Sequence, residues 1–209
     1  MKRVLFILFV LPFFSVAQNS SKVLVKKGID ITKYVPVGLK IGSDAPVIKG
    51  FSLKGKKINS LEILENKKSI VLIFYRGKWC PHCNRFLSNL NDSLQYITNK
   101  NAKILVVGPE SFENTEKTAK KSDANFILIP DTSMQIQKDY DVLFSVTKKY
   151  QGKIKTFLRT DIAKNNNQLE ATLPVPATYI IDSTGKITWR HFDYDYSKRP
   201  SVKEIIDNL

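Results

Sequence analysis

The two cysteines of this 209-residue chain, Cys80 and Cys83, stand three positions apart. Sulfurs one helical turn apart can close a disulfide with each other and so release a partner held in a mixed disulfide. Their setting favours that use. Ile70 to Tyr75 is an apolar run of strand formers, Arg76-Gly77-Lys78 reads as a turn, and Trp79-Cys80-Pro81-His82-Cys83 opens an amphipathic pattern. Strand, turn and helix start put Cys80 where unpaired backbone N–H groups and the helix dipole favour a thiolate. In such motifs the thiol pKa falls from about 8.5 to roughly 3.5–7.5. Cys80 is therefore expected to be the nucleophile and Cys83 the resolving thiol. Pro81 suits a first helical turn, where its missing N–H would have had no partner, and a protonated His82 adds positive charge beside Cys80.

Other uses of a cysteine pair fit less well. Half a zinc site needs further ligands, and the chain holds no second cysteine pair and only His191 besides His82. Haem attachment needs histidine directly after the second cysteine, where Asn84 stands. A purely structural disulfide is the non-catalytic alternative, since exported proteins often carry one. A bridge closing so short a loop restrains the unfolded chain little, which argues for redox use.

The flanking sequence alternates strand and helix patterns. Arg85 to Lys100 carries Phe86, Leu87, Leu90, Leu94 and Ile97 along one helical face. Lys103 to Val107 and Phe126 to Ile129 read as buried strands, Ser111 to Ser122 and Ser133 to Tyr140 as helices. Short links between alternating elements predict an α/β domain around a parallel sheet. Upstream, Val23 to Val25 is a short strand-like patch, Ile48 to Leu53 runs into a turn at Lys54-Gly55-Lys56, and Ser60 is expected to cap a helix to Glu65. Leu143 to Leu169 has weak periodicity and the run Asn165-Asn166-Asn167. It reads as an inserted segment with an exposed loop, packing over the active site or merely decorative. Leu173 to Thr178 leads into the strand Tyr179 to Asp182, a turn, a strand from Lys186 to Phe192, and a final helix, Val202 to Leu209, opened by a Ser201/Glu204 capping box.

Residues 1–17 have the pattern of a secretory signal: Lys2-Arg3, an apolar run from Val4 to Phe14, then Ser15-Val16-Ala17. That run is shorter than the roughly 20 residues needed to span a bilayer. An exported, periplasmic or extracellular protein without stable membrane insertion is expected, with an extension at 18–40 and one domain at 41–209. The formal charge is +14, mostly lysine in singles and pairs from Lys22 onward. A clustered basic face with interleaved aromatics would point to nucleic acid, and this scatter does not. A solvated surface biased toward acidic partners or anionic membranes is the expectation.

Trp79-Cys80-Pro81-His82-Cys83 after an apolar strand resembles the active site of the thioredoxin superfamily. The Pro-His dipeptide is similar to that of DsbA-type oxidases, while Phe74 to Trp79, the Pro-Ala-Thr-Tyr-Ile-Ile-Asp run from Pro176 and the later Arg199-Pro200 resemble the AhpC/TSA peroxiredoxin-like and TlpA-like branch. The resemblance covers about Ile41 to Leu209. It implies a thioredoxin-like fold: a central mixed sheet flanked by helices, an N-terminal hairpin, and an insertion before a strand entered by a cis-proline, here Pro176. It further implies that Arg76, Trp79, Pro81 and His82 support Cys80 and Cys83, and that the backbone of Val175 with Pro176 docks an extended partner. The implied partners are protein thiols or disulfides and an unidentified redox partner, or peroxide, with no cofactor and no metal. Thiol–disulfide exchange is the first reading, thiol-dependent peroxidase the second, and an interaction module braced by an inert disulfide the third. Against the Pro-x-x-x-Thr-x-x-Cys pattern of peroxiredoxins, Arg76 falls at the proline, Cys80 at the threonine and Cys83 at the peroxidatic cysteine.

Overall fold

The strand that leads to the cysteines lies at the centre of the molecule. The computed structural model describes residues 21–209, and the signal-like residues 1–17 fall outside them. Strand β3 (Ser69–Phe74) is buried along its whole length. It pairs in parallel with β4 (Ala102–Gly108) and antiparallel with β8 (Ala177–Asp182). With β5 (Ile127–Pro130) and β9 (Ile187–Phe192) these form one mixed sheet in the order β5-β4-β3-β8-β9. Side chains alternate across a strand, so β3 feeds two cores. Val71 and Ile73 go to one, with Tyr75 and both cysteines; Ile70, Leu72 and Phe74 go to the other.

Helices cover both faces, as a thioredoxin-like α/β fold requires. On the cysteine side, α3 (Pro81–Asp92) buries Cys83, Phe86, Leu87 and Leu90. Ser93 leaves the helical region at φ −108°, so the single helix expected to Lys100 is interrupted there and resumes as α4 (Leu94–Thr98). Next come α5 (Phe112–Ser122) and α6 (Gln135–Asp139). The expected N-terminal hairpin is present as β1 (Lys49–Phe51) paired with β2 (Lys57–Asn59).

Several local expectations are corrected. Val23 to Val25, read as strand-like, lie within a helix over residues 21–26 (α1). The cap of α2 (Ser60–Leu64) is Asn59, whose side chain accepts from the Leu61 N–H, because the buried Ser60 hydroxyl is taken by the Ile48 N–H at 2.9 Å. The segment 143–169 is ordered, with its weak periodicity divided among β6 (Leu143–Ser145), α7 (Lys148–Leu158) and α8 (Ile162–Asn165). Strand β6 pairs with β7 (Thr172–Pro174). Asn165 and Asn166 are buried, not part of an exposed loop.

No peptide bond among the described residues is cis, so the bond entering Pro176 is trans. The Val175 N–H is not free either. It donates to the Val142 carbonyl at 2.7 Å, carrying the backbone pairing of β7 one residue further toward β8. No helix among the described residues is long and apolar enough to cross a membrane. The final helix, α9 (Val202–Asp207), opens on Ser201, whose hydroxyl accepts from the Glu204 N–H as expected of the capping box.

Candidate redox site

Cys80 is the N-cap of α3. Its backbone is extended, Pro81 occupies the first turn, and its Sγ accepts from the Cys83 N–H at 3.4 Å. Both cysteines are free thiols. The local sequence explains this much: an apolar strand ends just before the cysteines, and proline starts a helix with the sulfur at its open end.

The distribution of charge overturns the expectation that Cys80 is the more acidic of the two. Arg199, from the segment after β9, donates through one terminal nitrogen to the Cys83 Sγ at 3.2 Å and through the other to the Phe74 carbonyl at 3.1 Å. Its guanidinium lies 5.3 Å from the Phe86 ring centre. Burial works against a charge on Cys83, yet the hydrogen bond from the Cys80 thiol, with Arg199 and then Arg76, brings its pKa down to about 5. Cys80 is pushed the other way, first by its hydrogen bond to Cys83, then by burial and by repulsion from the Cys83 charge. The two thiols titrate as a pair, and the Arg199 contact favours the negative charge on Cys83. The helix terminus favours an anion in general; the arginine contact selects the second sulfur.

Arg76 is the second cation, and the fold encloses it. It is buried, bonds through a terminal nitrogen to the Tyr150 hydroxyl at 2.8 Å, and lies 4.0 Å from the Tyr196 ring centre, 4.9 Å from Trp79 and 5.4 Å from Tyr150. Stacking of a guanidinium on aromatic faces offsets part of its desolvation. Tyr150 belongs to α7, inside the segment that sequence reading left between covering the site and decorating it. It covers the site. The segment around Gly28 backs it: a Cβ on Gly28, whose φ is +98°, would lie 2.6 Å from the Tyr150 ring, so only glycine lets this backbone approach.

A buried carboxylate fixes the turn before Cys80. Glu110, after β4, accepts from the Lys78 N–H at 2.9 Å, the Asn165 amide at 3.0 Å, the Tyr75 hydroxyl at 3.1 Å and the Thr118 hydroxyl at 2.8 Å. These four donors satisfy a charge that would otherwise be costly to bury. Gly77 turns there with φ +141°, and a Cβ on it would lie 2.6 Å from the Trp79 indole nitrogen.

Beside this turn a cavity of about 230 Å³ opens, walled by Trp79, Cys80, Tyr150, Ile154, Phe157 and Tyr196. Pro81 and His82 also border it, and the His82 ring meets Tyr196 edge-on at 5.7 Å. Cys80 faces the cavity although only 1% of it is exposed; Cys83 is fully buried behind it and is not among the lining residues. Arg76, Trp79, Pro81, His82 and the two cysteines thus come together as expected. Val175 and Pro176 are buried and do not line the cavity. Their register places them past the Ile73–Thr178 pair, at the end of the sheet where β3 turns toward Cys80. His191, Asp193 and Asp195 do not join the site: Asp195 pairs with Lys27 at 2.6 Å and Asp193 with Lys198 at 3.6 Å.

Sequence reading missed Arg199, Tyr150 and Glu110 as site residues. Arg199-Pro200 had a signal in the family resemblance. Tyr150 and Glu110 had none, because each reaches the site only through tertiary packing.

The chain is similar to known proteins. The AhpC/TSA family model matches residues 41–190. The thiol-disulfide oxidoreductase ResA of Bacillus thuringiensis subsp. konkukian (strain 97-27) is 25% identical over 150 residues, covering 71% of this chain and 68% of that protein. Peroxiredoxin Bcp of Bacillus subtilis (strain 168) is 30% identical over 105 residues, covering 50% of this chain and 65% of that protein. Among solved structures, peroxidoxin BcpB from Mycobacterium tuberculosis superposes with a TM-score of 0.62 at 14% identity, over 81% of this chain and 96% of that one.

Proposed function

The chain belongs to the AhpC/TSA family, and from that premise we propose that it is an exported thiol–disulfide oxidoreductase cycling Cys80 and Cys83 between dithiol and disulfide. The observation that carries this reading is the arrangement of the sulfurs: Cys80 at the cavity, Cys83 behind it, with the negative charge held there by Arg199. The Cys83 thiolate is the base that receives the Cys80 proton as a partner disulfide enters. Cys80 then attacks, forming a mixed disulfide and expelling the partner's first thiolate, which takes up that proton from Cys83. The restored Cys83 thiolate attacks the Cys80 sulfur, expels the partner's second thiolate and closes the Cys80–Cys83 disulfide. Two electrons pass from the enzyme to the partner, and reversal oxidises a dithiol partner.

The direction of flow depends on the potential of the pair. Relatives with this fold run from about −270 to −120 mV, and 30 mV is about 1.4 kcal/mol for two electrons. Trp79 shields one side of the sulfurs. Export rests on the pattern of residues 1–17, and a mature chain starting at Gln18 after expression in a bacterial host is the expected outcome by mass spectrometry.

A second reading, peroxidase, is favoured by the Arg199 contact. It makes Cys83, which stands at the peroxidatic register, the attacking thiolate. Attack on a hydroperoxide would form a sulfenate and release an alcohol or water; with one proton taken up from solvent the sulfenate becomes a sulfenic acid, from which the Cys80 thiol would displace water to form the disulfide. Insulin reduction measured beside peroxide consumption, on wild type and on Cys80→Ser and Cys83→Ser, separates the readings. Thiol–disulfide exchange expects Cys83→Ser to trap a mixed disulfide on Cys80. Peroxide-driven sulfenate on Cys83 in Cys80→Ser, with no insulin reduction by wild type, would replace the first reading by the second.

A further inference from the structure

The cavity at Cys80 does not end at the sulfurs. Tyr150 and Lys153 are shared with a second, open depression of about 510 Å³, lined also by Lys22, Val25, Lys26 and Lys149. These four lysines are exposed, and none has an acceptor or carboxylate partner among the described residues. Helices α1 and α7, which carry them, contain Lys22, Lys26, Lys148, Lys149, Lys153 and Lys155 and no acidic residue. The nearby carboxylate of Asp195 is held by Lys27 at 2.6 Å. The charge of this face is therefore uncompensated, whereas elsewhere on the surface lysines do find carboxylates, as in Lys117–Glu113 and Lys203–Asp207.

The apolar part has its own meaning. Phe157, on the cavity wall, is 75% exposed, beside the partly buried Leu158. A cavity of about 230 Å³ is below the roughly 300–1,000 Å³ of sites that enclose a whole small ligand. Its size and lining suit a single bulky side chain.

We infer that the face made by α1 and α7 is the docking surface for an acidic polypeptide whose reactive cysteine lies beside an apolar residue. The apolar side chain enters the cavity next to Cys80, and carboxylates flanking it meet Lys22, Lys26, Lys149 and Lys153. The inference rests on the thiol–disulfide reading of the same site. A polypeptide fits better than a lipid surface because Cys80 is only 1% exposed, on the wall of a cavity, and exchange requires a partner sulfur to reach it. Complementary charge acts mainly on encounter rate and partner choice, so the effect belongs in kcat/KM and falls with salt.

The test uses the reduced protein and short peptides in which one cysteine beside a phenylalanine is held as a mixed disulfide with mercaptoethanol. One peptide is flanked by glutamates and its counterpart by lysines. At low salt the acidic peptide is expected to react at least about tenfold faster, and the ratio to approach one as salt rises from about 0.01 M to about 1 M. In Lys149→Glu/Lys153→Glu, and separately in Lys22→Glu/Lys26→Glu, the acidic-to-basic ratio within each variant is expected to collapse or invert. Equal rates for the two peptides, or a ratio unmoved by either double variant, overturn the proposal. So does charge-dependent binding of phosphatidylglycerol vesicles through the same lysines without peptide discrimination.

Hydroxyethyl disulfide, which is uncharged, reports the chemistry alone. If it too fails to oxidise the protein, the thiol–disulfide reading is what falls. Docking is then decided by fluorescence anisotropy of the acidic peptide with serine for cysteine. Salt-sensitive binding lost in Lys149→Glu/Lys153→Glu supports the surface, and equal binding of acidic and basic peptides refutes it.

Discussion

Two clusters of aromatic side chains lie on opposite faces of the central sheet, and their hydroxyls go to different places. On one face Phe74, Tyr140 and Tyr179 meet with ring centres 5.5–6.3 Å apart. The Tyr140 hydroxyl donates to the Pro46 carbonyl at 2.8 Å, and the Tyr179 oxygen accepts from the Leu39 N–H at 3.2 Å. Both serve the backbone of the segment leading into the hairpin. On the other face Tyr150 and Tyr196, with Trp79, surround a guanidinium, and the Tyr150 hydroxyl accepts from it. The same residue type braces a loop in one cluster and holds a cation beside two sulfurs in the other. What separates them is the partner of the polar tip, since burial is high in both.

The sharpest way to break this contrast is at the sulfurs. Cys80→Ser and Cys83→Ser are each expected to abolish dithiol–disulfide cycling, read as loss of insulin reduction, with the thermal transition of the reduced form preserved. Full turnover in either variant would reduce the reactive face to a second brace.

The buried carboxylate comes next. Glu110→Ala leaves the Tyr75, Thr118, Asn165 and Lys78 donors without their acceptor, at a cost of about 3 kcal/mol or more by denaturant unfolding. Glu110→Gln keeps one oxygen and is expected to lose less.

Arg199→Met tests the charge. In wild type the thiolate absorbance should rise through a pH of about 5. Removing the cation raises a depressed pKa, so the midpoint is expected to move up by about 1–3 pH units. An unmoved midpoint would show that Arg199 does not select the thiolate.

The smallest effects divide the two clusters most directly. Tyr140→Phe and Tyr150→Phe each lose one hydrogen bond, worth about 1 kcal/mol of stability. Only Tyr150→Phe is expected to shift the thiolate titration, because only its hydroxyl orients Arg76.

Much of this was legible in the chain because it is local. The six-residue apolar strand, the Pro81 helix start and the 3.6-residue spacing after it place Cys80 and Cys83 at a helix terminus without reference to distant residues. The final helix and its Ser201 cap were legible for the same reason. The segment 143–169 was not, because it is stabilised by contacts elsewhere: β6 against β7, Tyr150 against Gly28 and Arg76, and Asn165 against Glu110.

By itself the sequence determined that two sulfurs would share the start of one helix on a buried strand, since strand pattern, turn and helix start are properties of neighbouring residues. Only the tertiary structure decided which sulfur carries the charge. The cation that selects Cys83 comes from position 199, and an interaction that weakens with distance acts on whichever atom the fold brings to 3.2 Å of it.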